Sequence, residues 1–252
     1  MKLNRRTALA GAVALTAAPR AFAQAFPSKP LKIVVPFAAG SATDLTARGL
    51  GAKLQEILKQ PVVIENKPGA SGQLGASAVA TAPPDGYTLL MGTNTTNAAN
   101  PALFKKLSYD PAKDFAPIMR CVTGVNALVV NNDVPAKTVA ELVDYAKKNP
   151  GKLNYAEASA SQRLSGEMFN KLAGVKIERV PYKASPQALG DVAAGQVQIM
   201  FPDLPQALTQ IDAGRVRGLG VTGPTRSSVA PNLPPIGDTV PGYSLVYWLA
   251  VF

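Results

Sequence analysis

Small, hydroxylated and amide-bearing residues gather in short loops, each following an apolar β-branched run. The first, Phe37-Ala38-Ala39-Gly40-Ser41-Ala42-Thr43-Asp44, leads into a helix-like stretch. Small side chains let a ligand approach the backbone, and a helix start offers unpaired N–H groups at the positive end of a dipole, so the chemistry to expect is anion binding. Ser41 and Asp44 also fit the S-x-x-D capping box, in which both side chains only satisfy orphan amides, and the sequence leaves the two readings open. Asn66–Gly72, containing Gly69, and Met91–Asn97, containing Thr93, are two more such loops. The second half repeats the pattern in Tyr155–Gln162, with Ser159, Ser161 and Gln162, in Val180–Pro186, with Tyr182 and Lys183, and in Phe201–Pro205, with Asp203. Any one of them is also ordinary turn chemistry, but their repetition in both halves suggests a ligand held between two units.

Several chemistries are excluded by residue type. The chain has no histidine and one cysteine, so a Ser-His or Cys-His relay, an imidazole-ligated metal, an internal disulfide and a Cys-x-x-Cys pair are impossible. The first loop is neither a Walker motif nor Gly-x-Gly-x-x-Gly, and we expect no metal and no cofactor. One catalytic alternative stays open, a Ser-Lys hydrolase using Ser41 or Ser185 with Lys183, although no Gly-x-Ser-x-Gly elbow is present. The net charge of +10 raises the question of nucleic acid. Four of the 26 basic residues, Lys2, Arg5, Arg6 and Arg20, lie in the first 23 positions, and without them 22 basic face 16 acidic residues, or +6. The rest are dispersed, so we expect a solvated surface and no nucleic-acid partner.

The elements that must position these loops follow from periodicity. Leu31–Phe37, Pro61–Glu65 and Tyr87–Met91 read as strands alternating with helices over Asp44–Lys59 and Gly72–Thr81, the order of a parallel sheet covered on both faces. The pattern restarts with strands at Val125–Asn131, Leu153–Ala156, Lys176–Pro181, Gln196–Phe201 and Gly214–Thr222, and helices at Val139–Asn149, Leu164–Leu172 and Pro186–Ala194. The fold class is α/β in two lobes. Residues 1–23 carry a basic start, an apolar run from Ala8 to Ala18 and the small-x-small end Ala21-Phe22-Ala23, the layout of a cleavable signal peptide. Asn4-Arg5-Arg6-Thr7 also fits a twin-arginine signal. The expected location is the periplasm. Cys121, beside Ile118, Met119 and Val122, reads as a small buried apolar residue. Tyr247–Phe252 is an apolar strand-like run with no polar tail, as if the chain were truncated.

VVPFAAGSATD, ENKPGASGQLGA, PPDGYTLLMGT, YDPAKDFAPI, VPYKASPQAL and GQVQIMF resemble, in order and spacing, the signature segments of the tripartite tricarboxylate transporter substrate-binding proteins, the Bug-type extracytoplasmic solute receptors. The resemblance runs from Phe26 to Phe252. It implies a two-lobed periplasmic binding-protein fold (type II), monomeric, that closes on a small organic acid without catalysis and delivers it to the membrane permease subunits of a tripartite transporter. A signalling partner in place of the permease is the alternative. Lobe 1 would comprise 24–124 with 223–252, its C-terminal part missing, and lobe 2 would comprise 125–222. The implied binding set is Phe37, Ala39, Gly40, Ser41, Thr43, Asp44, Gly69 and Thr93 from lobe 1, with Ser159, Ser161, Gln162, Tyr182, Lys183 and Asp203 from lobe 2. Ser41 stands where the family commonly has a second glycine, so its Cβ is expected to restrict the loop. Glu157 is expected to bring a negative charge near the pocket.

Overall fold

The computed structural model describes residues 26–252; the expected signal peptide, 1–23, lies outside them. The run Leu31–Val35 forms β1, with Ile33, Val34 and Val35 all buried, as a central parallel strand covered on both faces requires. Helix α1 (Ala42–Leu58) leads to β2 (Val62–Asn66), and α2 (Gln73–Ala80) leads to β3 (Thr88–Thr93). Both flanking strands run parallel to β1, with Ile33 opposite Ile64 on one side and Leu89 on the other. A π-helical turn, Thr95–Ala99, passes into the short helix α3 (Asn100–Leu103), and the chain returns as β4 (Met119–Gly124).

Beyond Asn126 the chain builds a second sheet. It consists of β5 (Ala127–Asn131), β6 (Asn154–Glu157), β7 (Glu178–Pro181), β8 (Ile199–Met200) and β9 (Val216–Val221), with helices α4 (Val139–Lys148), α5 (Ala160–Ala173), α6 (Ser185–Ala193) and α7 (Leu204–Asp212). The chain then returns to the first sheet as β10 (Tyr247–Val251). The strand orders are β2-β1-β3-β10-β4 and β7-β6-β8-β5-β9. Each sheet is parallel through its first three strands and antiparallel at the fourth. Those fourth strands, β10 and β5, are the two that bring the chain across. A strand arriving from the other sheet starts at the end where the βαβ strands finish, so it must run against them. Pure parallel sheets are therefore corrected to mixed ones, within the expected α/β class.

At the crossings the two chain segments are tied together. The Asn126 amide donates to Thr222 Oγ1 and the Thr222 amide donates to the Asn126 carbonyl, both at 2.9 Å. The connection from β9 to β10 stays with the second sheet, where Ile236, Val240 and Tyr243 share a core with Leu128, Leu142, Phe169 and Phe201. The first sheet has its own core around Ile33, Val35, Met91, Leu249 and Val251.

Three local readings differ from expectation. Helix α5 starts at Ala160, one turn earlier than the apolar period indicates, because Ser159 caps it. Helix α7 follows a segment whose prolines suggest a loop, but Pro205 sits in its first turn, where a missing N–H costs nothing. Cys121 is half-buried on the edge strand β4, whose Met119 and neighbouring Ile118 are exposed. Among the described residues no helix is long and apolar enough to cross a membrane, and no group of acidic or cysteine side chains could hold a metal ion.

Candidate functional site

The end of β1 delivers the first loop to the gap between the sheets. Gly40 has φ +78°, a left-handed conformation that glycine adopts without strain. Ser41 returns to extended backbone (φ −70°, ψ 160°), so its Cβ costs nothing and the expected restriction is absent. Its Oγ accepts from the Asp44 amide at 3.2 Å, capping α1. The Asp44 carboxylate reaches one residue further back than a capping box would. It accepts from the Gly40 amide (2.9 Å), Arg48 Nε (2.9 Å) and Asn66 Nδ2 (2.9 Å). Burial pushes the Asp44 carboxyl up, but these donors together outweigh burial and hold it below the ordinary aspartate range. Asp44 is thus a post that fixes the loop from behind, and it does not line the cavity in front.

The second sheet presents three helix N-termini to the same gap. Ser159 Oγ caps α5, accepting from the Gln162 amide at 3.4 Å. Ala158 N–H donates to Gln162 Oε1 (2.7 Å), and Gln162 Nε2 donates to Ser185 Oγ (3.0 Å) at the start of α6. Ser185 Oγ donates to Gln206 Oε1 (3.0 Å) on α7, and Gln206 Nε2 donates across the gap to the Gly40 carbonyl (2.8 Å). Each amide is oriented by the donor or acceptor before it, so the chain has one direction from end to end. Ser161 Oγ makes a second crossing, donating to Asn94 Oδ1 at 3.2 Å and accepting from Thr95 Oγ1 at 3.2 Å.

Between these crossings lies a cavity of about 40 Å³. Of the residues singled out in the sequence, Phe37, Ser41, Thr43, Thr93, Ser159, Ser161, Gln162, Lys183 and Asp203 line it. Gly69 and Tyr182 do not; they line an adjoining outer chamber of about 530 Å³ that shares Phe37, Ala38 and Lys183 with the inner one. Ala39 and Gly40 face a separate surface hollow against Pro186 and Gln206. Glu157 lies on the outer chamber alone and is paired with Arg179 at 2.7 Å, so its charge is compensated before it reaches the inner space. Burial raises the Glu157 carboxyl above its usual range, with Arg179 opposing.

Three polar residues of the inner wall are not among the residues the sequence singles out, Asn94, Thr95 and Tyr247, and a fourth, Ser185, is singled out only as a possible nucleophile. Asn94 and Thr95 belong to a loop that was recognised, but only its π-helical turn decides which side chains face inward. Tyr247 begins β10, and nothing in an apolar terminal run indicates that its first residue walls a cleft. Its hydroxyl is raised above the ordinary phenol range by burial and then by the nearby Asp203.

The wall is hydroxyl and amide in character, with two ionisable groups besides Tyr247: Lys183, exposed at the mouth, and Asp203. The start of α1 from one side and the starts of α5, α6 and α7 from the other give it positive dipole ends. That combination suits a small anion held by neutral donors. It does not suit nucleophilic catalysis. Ser41 is engaged by the Asp44 amide and Ser185 by two glutamines, and among the described residues neither hydroxyl is hydrogen-bonded to Lys183.

Residues 46–252 match the profile of the tripartite tricarboxylate transporter family receptor. The UPF0065 protein of the tcbD-tcbE intergenic region of Pseudomonas sp. strain P51 is 35% identical over 257 residues, covering 99% of this chain and 76% of that protein. The solved structure of R. palustris Rpa4515 with adipate is similar at a TM-score of 0.88 and 38% identity, over 90% of this chain and 77% of that one. The solved structure of the periplasmic binding protein BugD is similar at a TM-score of 0.85 and 34% identity, over 90% of this chain and 76% of that one.

Proposed function

The chain belongs to the tripartite tricarboxylate transporter receptor family, and from that premise we propose that it is a periplasmic receptor for a small carboxylate. It captures the acid between its two lobes without chemical conversion and delivers it to a membrane transporter of the tripartite tricarboxylate type. The signal peptide at 1–23 exports it, and the lobes are the two sheets with their helices, hinged at the Asn126–Thr222 crossing. The relative with bound adipate supports a carboxylate as the ligand class.

One observation carries the reading. The inner cavity is walled by hydroxyls, amides and the N-termini of helices from both sheets, with the only lysine at its mouth. A receptor that must release its anion to a partner needs affinity spread over neutral donors, because each charge-assisted bond adds about twice as much as a neutral one. The loops of both sheets contribute, so an occupant is held fully only when the lobes are together.

Thermal unfolding of the purified protein in the presence of malate, adipate, citrate, glutamate and benzoate tests this. A ligand at about 100 times its Kd stabilises by about 2.7 kcal/mol, a melting shift of several degrees. At least one of these acids is expected to produce it. No shift with any of them, in protein shown to be folded, would refute the carboxylate reading.

A further inference from the structure

Asp203 poses a problem for any anion site. It is the one acidic side chain on the inner wall, and a carboxylate placed against another carboxylate is repelled. Among the described residues it makes no ion pair. Among the described residues its side chain makes a single hydrogen bond, accepting from Asn126 Nδ2 at 3.3 Å. The Asn126 amide cannot turn to relieve this, because the same Nδ2 donates to the Phe201 carbonyl at 2.8 Å. One carboxyl oxygen of Asp203 is therefore committed to an amide donor, and the other has no protein partner. The side chain does not cap α7, although Asp203 precedes the helix.

The groups that face Asp203 from each neighbouring element are few. β10 contributes the Tyr247 hydroxyl, the segment before β5 contributes Asn126, and the loop before α6 contributes Lys183 at the cavity mouth. α1 and α5 contribute only neutral Ser41, Thr43, Ser159, Ser161 and Gln162. No ion pair joins Lys183 to Asp203 among the described residues.

We infer that Asp203 works as a neutral carboxylic acid, donating its proton in a hydrogen bond to the ligand's carboxylate, so that capture takes up one proton and release returns it. The inference rests on the carboxylate reading above. It turns the acid from an obstacle into a selective donor, which donates to a carboxylate oxygen and leaves a ligand ammonium without a counter-charge. Enclosure at the base of the cleft already pushes the half-buried Asp203 carboxyl up to about 6, with the Asn126 hydrogen bond opposing. A bound anion raises it further. The sign follows from linkage: affinity is greatest below that value and falls as pH rises above it, by up to about tenfold per pH unit for one proton.

Calorimetric titration of the full protein with malate and with adipate at pH values from about 5.5 to 8 reads this directly. Affinity should fall with pH, and the binding enthalpy should vary with the ionisation enthalpy of the buffer, reporting uptake of close to one proton. Asp203→Asn keeps a donor but cannot titrate, and should flatten the profile. The buffer dependence of the wild-type enthalpy needs no variant, so the test survives if Asp203→Asn fails to fold. Binding with a flat profile and no proton uptake would overturn the role of Asp203 and leave the carboxylate reading standing. A pH slope retained in folded Asp203→Asn would also overturn it. If neither binds, the same titration is run with whichever of citrate, glutamate or benzoate does, and failure of all five acids to bind at every pH would remove the carboxylate reading, and the donor role with it.

Discussion

Asp44 does its work by gathering three donors on one carboxylate, the Gly40 amide, Arg48 Nε and Asn66 Nδ2. Its folded carboxyl lies below the ordinary value of 3.8, so the stability it contributes is complete above that value and is lost as pH falls through the lower, folded one. We expect the urea midpoint of the wild type to fall on acidification below about pH 4, and part of that fall to be absent in Asp44→Asn. Asp44→Ala removes the shared charged acceptor of these three hydrogen bonds and should cost about 1–3 kcal/mol at neutral pH, measured by the same denaturation. At this scale the sequence was legible where one local motif decides the outcome. Ser41, Ser159 and Gln162 follow from small, hydroxylated loops that come before helices, and they do line the cavity. Asp44 could not be assigned in the same way. Its position in S-x-x-D is equally that of a ligand contact and of a cap, and only the distant Asn66 shows that it faces backward. Tyr247 was illegible because its role depends on which strand it starts and on what that strand lies beside.

Elements place the loops by close backbone approach. Helix α2 packs against the end of β1 at Gly75, where an added Cβ would lie 2.7 Å from Pro36 Cα and 3.0 Å from the Lys67 carbonyl oxygen. Those are backbone atoms and cannot swing aside, so Gly75→Ala must displace either the helix or the first binding loop. Overpacking of this kind costs about 1–3 kcal/mol. The expected result is a lower melting temperature together with weakened carboxylate binding, because Pro36 is bonded directly to Phe37 on the cavity wall. A variant that lost stability but bound with unchanged affinity would show that the loop is held by Asp44 alone. The βαβ units were readable because burial on both faces leaves continuous apolar runs such as Leu31–Val35. Strand β4 was not, since an edge strand with exposed Met119 and half-buried Cys121 carries no such run. The antiparallel insertion of β10 was equally hidden, because strand direction depends on where the chain comes from and leaves no mark in its composition.

At the scale of the whole molecule, the hydrogen-bond chain from Ala158 through Gln162, Ser185 and Gln206 to the Gly40 carbonyl joins α5, α6 and α7 to the loop before α1. Only its last link crosses from one sheet to the other. The remaining links set the helix N-termini of the second sheet at fixed spacing whether the lobes are open or closed. The cavity of about 40 Å³ is walled from both sheets and opens toward the outer chamber at Lys183, a mouth that we expect parting of the lobes to widen for entry and release. The Gln206–Gly40 bond is then a latch whose loss should speed release more than it alters the site. A single neutral hydrogen bond is worth about 0.5–1.5 kcal/mol, which predicts release on the order of two- to tenfold faster in Gln206→Ala. Stopped-flow displacement of a bound acid measures that rate. Small-angle scattering should show the ligand-free variant more expanded than the ligand-free wild type, and the two alike when saturated. Ser161→Ala removes the other crossing, to Asn94 and Thr95, but also a wall hydroxyl, so it should weaken binding as well as speed release. The contrast between the two variants separates closure from recognition: if Gln206→Ala released its ligand at the wild-type rate, the bond to Gly40 would be a consequence of closure and not a cause of it.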